Sequence, residues 1–254
     1  MAEALGVRAV GASRYHASLC SIGEILMYSP QTDPKYQPED VSSGENLSPD
    51  TIISPDTTRA ERLPQGQHRT RKWPVLHAGA VPSIDPAKWQ LKIDGLVDRP
   101  LTCSLEEFRQ RSRRTVYSDF HCVTAWSRLG NLWEGVSVAQ LLAEVGVQHG
   151  SQFAVIEGYD EGWTTNLPLS ALTNEDVLLA DRHDGEPIDD DHGGPVRLIV
   201  PRLFAWKSAK WVKRITLGVD NIPGYWEKLG YHNVGDPWQK QRYRDDPAWM
   251  AANE

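Results

Sequence analysis

The chain has 254 residues, a formal net charge of −7 and a pI near 5.6. That length can bury a substantial core in one large or two small domains, and the acidic balance argues against nucleic acid as the main partner, because phosphate binding needs a basic face. No apolar stretch approaches the roughly 18 residues of a membrane span, and Cys20, Cys103 and Cys122, widely spaced and without a C-x-x-C pair, form neither a disulfide framework nor a zinc knuckle.

Residues 1–29 hold at most a short amphipathic piece around residues 22–27. The apolar run at 19–27, broken by Glu24, is too weak for a secretory signal, so a cytoplasmic protein is expected. Residues 30–70 are rich in Pro, Ser, Thr, Asp and Gln, a composition that cannot bury enough apolar surface to offset the entropy of ordering. The first tryptophan is Trp73. Residues 1–62 are therefore predicted to be a flexible or extended arm, and 63–254 the functional domain.

Beyond the arm, residues 89–93 alternate like a half-buried strand that Asp94-Gly95 ends. Ser104 with Glu107 forms a capping-box pattern, opening a short helix to about residue 111. Residues 115–120 read as a strand ending at His121-Cys122, and Leu129-Gly130-Asn131 as a loop. Ser137 with Gln140 starts a second helix over 138–145, stopped by Gly146. Strands follow at 153–157, 163–167, 177–180, 196–200 and 211–219, with a hairpin turn at Asp184-Gly185. The run Asp189-Asp190-Asp191 reads as a solvated loop. Short helices scattered among many strands predict an α+β fold of mixed sheets rather than a doubly wound sheet. No phosphate-binding glycine loop is present.

Chemistry concentrates around Cys122, in Tyr117-Ser118-Asp119-Phe120-His121-Cys122-Val123-Thr124-Ala125-Trp126. A lone cysteine is more often a small buried hydrophobe than a ligand, but here polar His121 and Thr124 flank it and Trp126 and Trp133 are placed to roof a pocket. A cysteine hydrolase needs a histidine base brought close in space, which spacing does not reveal. Zinc needs about four protein ligands, and no Cys/His pair at metal spacing supplies them. A single thiolate suffices where a thiophilic metal arrives already held by a cofactor. Two later segments, His192-Gly193-Gly194-Pro195-Val196-Arg197 and Trp206-Lys207-Ser208-Ala209-Lys210-Trp211, return cations that can bind an anionic group.

Those segments, taken with Trp73-Pro74-Val75-Leu76-His77-Ala78-Gly79-Ala80-Val81-Pro82, together resemble the molybdopterin domain of the sulfite oxidase family, in order and at family spacing, from about residue 63 to 243. The likeness is strongest to the short bacterial branch that includes the methionine sulfoxide reductase catalytic subunit. The resemblance implies a sulfite oxidase-type fold, a molybdenum-molybdopterin cofactor and two-electron oxygen-atom-transfer chemistry. It implies Cys122 as the molybdenum ligand and His77, His192, Arg197, Ser208 and Lys210 as cofactor contacts. Thr165 is a further pterin contact on the same grounds, and Tyr231 falls at the family's active-site tyrosine.

Two departures bear on substrate. Sulfite oxidases carry an arginine four residues after the ligand cysteine and another near the start of the pterin segment; here Trp126 and approximately Val75 stand there, with Arg128 a partial substitute. The implied reaction is therefore on a small S- or N-oxide rather than sulfite. The alternatives are sulfite oxidation despite the missing arginines, or a catalytically silent pterin-binding module. The chain lacks room for a haem domain, so no haem is expected; the expected partners are a small-molecule substrate and a separate electron donor or acceptor protein.

Overall fold

Two β-sheets pack their apolar faces into one core in the computed structural model, which describes residues 47 to 244. The amphipathic piece expected at 22–27 and most of the expected arm lie outside the described residues. Numbered along the chain, the seven-stranded sheet contains β1 (Ile52–Ile53), β2 (His68–Thr70), β5 (Arg114–His121), β6 (Trp126–Ser137), β9 (Leu178–His183), β10 (Glu186–Pro187) and β11 (Arg197–Ile199). Its order is β1-β5-β6-β9-β10, with β2 beside β6 and β11 beside β9. The five-stranded sheet runs β4 (Leu101–Ser104), β3 (Gln90–Gly95), β12 (Val212–Gly218), β7 (Phe153–Gly158) and β8 (Thr164–Pro168). The β1/β5, β2/β6 and β3/β12 pairs are parallel and the rest antiparallel, so the fold is α+β with mixed sheets.

Local chemistry accounts for most elements. In β3, Leu91 and Ile93 face the core and Gln90 and Lys92 face solvent. Helix α1 (Leu105–Arg109) opens on a capping box: the Ser104 hydroxyl accepts from the Glu107 amide while the Glu107 carboxylate accepts the Ser104 amide at 2.7 Å. Helix α2 (Val138–Val145) buries Val138, Leu141, Leu142 and Val145, one face at helical spacing, and ends where Gly146 adopts φ 68°. Two single-turn helices, α3 (Leu169–Leu172) and α4 (Tyr225–Lys228), follow.

One expectation is corrected. Leu129-Gly130-Asn131 is no loop but the middle of β6, the longest strand. The strand bulges there: its register against β5 shifts between Ser118 and Phe120, Gly130 takes φ 72°, and its amide donates to the Asp119 carboxylate at 2.9 Å. The glycine that reads as a break is a bulge residue. Residues 52–62 of the expected arm run along the domain as an extended, anchored segment. Strand β1 pairs with β5, the buried Ser54 hydroxyl donates to Asp176 at 2.8 Å, and Arg62 grips buried Asp119. Polar residues lock this segment down one at a time, which composition does not reveal.

Candidate active site

The antiparallel β5–β6 pair ends in a tight turn over residues 122–125. The Cys122 amide donates to the Trp126 carbonyl at 2.8 Å, the Ala125 amide returns to the Cys122 carbonyl at 3.1 Å, and Ala125 sits at φ 73°. This turn carries the thiol to a cavity wall, where Cys122 is 7% exposed. Burial pushes the thiol up; the Thr124 hydroxyl, 3.2 Å from Sγ, the Thr124 amide and the charges of Arg242 and Lys210 oppose that rise.

Two cations face the same cavity. Arg197 is completely enclosed; Nη1 donates to the His192 carbonyl at 2.6 Å and Nη2 to the Ser208 carbonyl at 2.9 Å, while its Nε–H has no partner among the described residues. Lys210 donates to the Leu76 carbonyl at 3.1 Å, the Asp191 carbonyl at 2.7 Å and His77 Nδ1 at 3.1 Å. Neither forms a salt bridge among the described residues. Burial lowers Arg197 to about 9, and burial together with Arg197 drives Lys210 well below the ordinary lysine range. Buried cations met by carbonyls rather than carboxylates are poised for an anion. Gly193 permits their packing: at φ 103°, a Cβ there would stand 2.7 Å from Lys210 Cβ.

His77 is part of this group. Burial and Lys210 lower it to about 4, so the ring is neutral; accepting from Lys210 at Nδ1, it carries its proton on Nε2. The Ser208 hydroxyl accepts from the Val200 amide at 2.9 Å and keeps its own proton to donate. His192 also lines the cavity, but both ring nitrogens are engaged, with Asp189 at 2.8 Å and the Trp73 carbonyl at 2.9 Å. It offers a ring face stacked on Trp73, and its carbonyl anchors Arg197. The acidic run is exposed as expected, yet the Asp190 and Asp191 carbonyls hold Trp211 and Lys210.

Around the thiol the wall is aromatic. Trp126, Trp206, Trp226 and Tyr231 line it, with Tyr231 5.2 Å from the Trp206 ring and 5.1 Å from that of Trp226. Burial raises the Tyr231 phenol, which stays protonated. The buried Trp126 Nε1–H has no partner among the described residues. Trp133 packs in the core beneath and does not reach the cavity. Arg128, the expected substitute cation, is not at the wall either: it is buried against Asn131, His183 and Asp184.

Seven of the eight predicted site residues, His77, Cys122, His192, Arg197, Ser208, Lys210 and Tyr231, thus meet at one cavity. Thr165 does not. It is fully buried on β8 and donates to Glu227 Oε1 at 2.8 Å, within a cluster that also takes Trp206 Nε1 and Lys207 Nζ. Sequence reasoning missed Asp160, a wall residue whose buried Oδ1 has no hydrogen-bond partner among the described residues and whose carboxyl burial raises to about 6. Its turn, Tyr159-Asp160-Glu161-Gly162, carries no signal to separate it from any polar turn. Among the described residues no three His, Cys, Asp or Glu side chains converge as a self-sufficient metal site.

Two mixed sheets thus bring a buried thiol and cations without carboxylate partners to one cavity, and comparison with known proteins identifies the class as molybdopterin-binding oxidoreductases. Residues 78–226 match the oxidoreductase molybdopterin binding domain, and the chain belongs to that family. An uncharacterized oxidoreductase, YuiH, of Bacillus subtilis is 45% identical over 73% of this chain and 93% of its own length. Chicken sulfite oxidase is 27% identical over 66% of this chain but 43% of its own. The protein-methionine-sulfoxide reductase catalytic subunit MsrP of Gluconobacter oxydans is 27% identical over 68% of this chain and 60% of its own. The sulfane dehydrogenase SoxCD of Paracoccus pantotrophus shares the fold at TM-score 0.55 and 21% identity, over 87% of this chain and 56% of that one. No helix among the described residues is long and apolar enough to cross a membrane.

Proposed function

We propose that this protein carries molybdenum-molybdopterin and uses it to reduce a small neutral S- or N-oxide. The donor set fits that cofactor. Cys122 would supply the protein sulfur to the metal. Arg197, Lys210, Ser208 and His77 Nε2–H would hold the phosphate-bearing end, and Asp160 would accept from pterin N–H groups. The bound cofactor supplies the two-electron redox change, and the protein supplies binding, orientation and electrostatics.

One observation carries the choice of substrate. Where sulfite oxidases have an arginine after the ligand cysteine, Trp126 lines the cavity with an unpartnered N–H, and Arg128 is committed elsewhere. A sulfite dianion needs a cationic cradle. Trp126 and Tyr231 are neutral donors, suited to an oxide oxygen. The net change R₂SO + 2e⁻ + 2H⁺ → R₂S + H₂O consumes two protons, and Tyr231, kept protonated by burial, is placed to deliver one. Electrons come from a separate donor protein. A reducing, cytoplasmic setting is part of this reading, on the few and widely spaced cysteines of the sequence.

The test is a steady-state comparison of sulfoxide reduction and sulfite oxidation with artificial electron carriers. Sulfoxide turnover exceeding sulfite turnover is expected. Efficient sulfite oxidation with a KM in the micromolar range, of order 1–1,000 μM, would overturn the reading.

A further inference from the structure

The family match spans residues 78–226, yet the turn that carries Cys122 is gripped by side chains lying outside that span on both sides. From the N-terminal side, Gln67 Nε2 donates to the Cys122 carbonyl at 2.9 Å, and the neighbouring His68 amide donates to the Ala125 carbonyl at 2.9 Å, where β2 joins β6 at Trp126. From the C-terminal side, Arg242 Nη1 donates to the Val123 carbonyl. The Arg242 guanidinium lies 4.8 Å above the Phe204 ring, and its backbone is tied by the Arg242 carbonyl accepting from the His232 amide at 3.1 Å. The two grips converge: Gly66, next to Gln67, has Arg242 Nη2 within 3.8 Å of where its Cβ would stand.

We infer that Gln67 and Arg242 are positioning residues that clamp the 122–125 turn and so fix the direction of the Cys122 thiol. The turn needs this. Ala125 is a non-glycine residue at φ 73°, a conformation that persists only where the surroundings enforce it. The internal bonds of the turn fix its ends, Cys122 to Trp126 and Ala125 back to Cys122, but leave the Val123 carbonyl to Arg242. A bond from an ionised donor is the stronger kind. A ligand held in one orientation by supporting contacts is the usual condition for tight metal binding. The inference rests on the reading of Cys122 as a metal ligand only for its consequence, since the clamp itself is a property of the chain.

The experiment uses the full chain with Gln67→Ala, Arg242→Met and Arg242→Lys. Hydrogen exchange resolved by mass spectrometry reports the amides of residues 122–126, and elemental analysis reports molybdenum per chain. In Gln67→Ala and Arg242→Met those amides are expected to exchange about tenfold faster or more, with β3, β7 and β12 unchanged, because loss of a local clamp opens a local unit. Arg242→Lys, which keeps the charge and one donor, is expected to restore most of the protection. Molybdenum per chain is expected to fall in the same order, and the sulfur-to-metal charge-transfer band of the metal that remains to shift. Exchange at 122–126 unchanged in both Gln67→Ala and Arg242→Met would overturn the clamp, as would acceleration spread equally over all strands. Were the wild-type protein to contain no molybdenum, the metal-ligand reading would fail on its own, and the exchange result would still decide the clamp.

Discussion

Two sets of side chains face the same cavity and differ in every respect that bears on a ligand. One set, Arg197, Lys210, His77 and Ser208, is polar, cationic and incompletely satisfied. The other, Trp126, Trp206, Trp226 and Tyr231 around Cys122, is neutral and aromatic. The first set comes from the segment between β2 and β3 (His77), from β11 (Arg197) and from the β11–β12 connection (Ser208, Lys210); the second comes from the β5–β6 turn, the same β11–β12 connection (Trp206) and the segment through α4. On the proposed function, the difference teaches that charge serves the anionic end of the cofactor and not the oxide that would react.

The sharpest way to break this division is to disable one set and look for the other intact. Cys122→Ser is expected to remove redox turnover while pterin content stays at the wild-type value, because the cationic set is untouched; folding stability should change by no more than about 1–2 kcal/mol. Turnover at the wild-type rate with an unchanged metal spectrum would show that the thiol is not a ligand. The converse variant, Arg197→Ala with Lys210→Ala, removes charge-assisted contacts of about 1.5–3 kcal/mol each. Extraction and fluorescence of the pterin should find the purified protein deficient in it, and full occupancy would contradict the division.

The histidines give a third test, by pH. Burial lowers His121 from 6.5 to about 4; its Nδ1 meets Ser127 Oγ at 2.8 Å and Nε2 has no hydrogen-bond partner among the described residues. The unfolded chain therefore takes up a proton there at a pH where the folded protein does not, so stability is complete above 6.5 and is lost as pH falls toward 4. The full shift corresponds to about 3 kcal/mol at most. His77, lowered in the same range but half-exposed, should add less. Denaturant titrations from pH 7 to 4 should show this decline, flattened in His121→Asn; an equal decline in the variant would place the effect elsewhere.

Much of this was legible in the sequence because the signals were local. The Ser104/Glu107 box and the Gly146 stop are decided within a turn of chain, and α1 and α2 stand where they point. The Asp184-Gly185 turn likewise joins β9 to β10. What escaped depends on distant partners. Gly130 reads as a break until Asp119 on the neighbouring strand is seen to take its amide. Residues 52–62 read as an arm until Asp176 and Asp119 are in place to hold Ser54 and Arg62. Within the site, the family resemblance pointed to His77, Arg197 and Lys210 as a group, but only the fold shows Thr165 committed to Glu227 and Asp160 standing at the wall.

That last contrast yields the smallest predicted effect. Thr165→Val deletes one buried hydrogen bond and should cost about 1 kcal/mol, leaving pterin content unchanged. A selective loss of pterin in Thr165→Val would return that residue to the site.

The most direct test of the account is the metal and pterin content of the purified full-length protein. About one molybdenum and one pterin per chain are expected, the stoichiometry of a cofactor that carries the chemistry in each subunit. Protein that remains free of molybdenum when made in cells supplied with molybdate, with Cys122 open to alkylation, would contradict it.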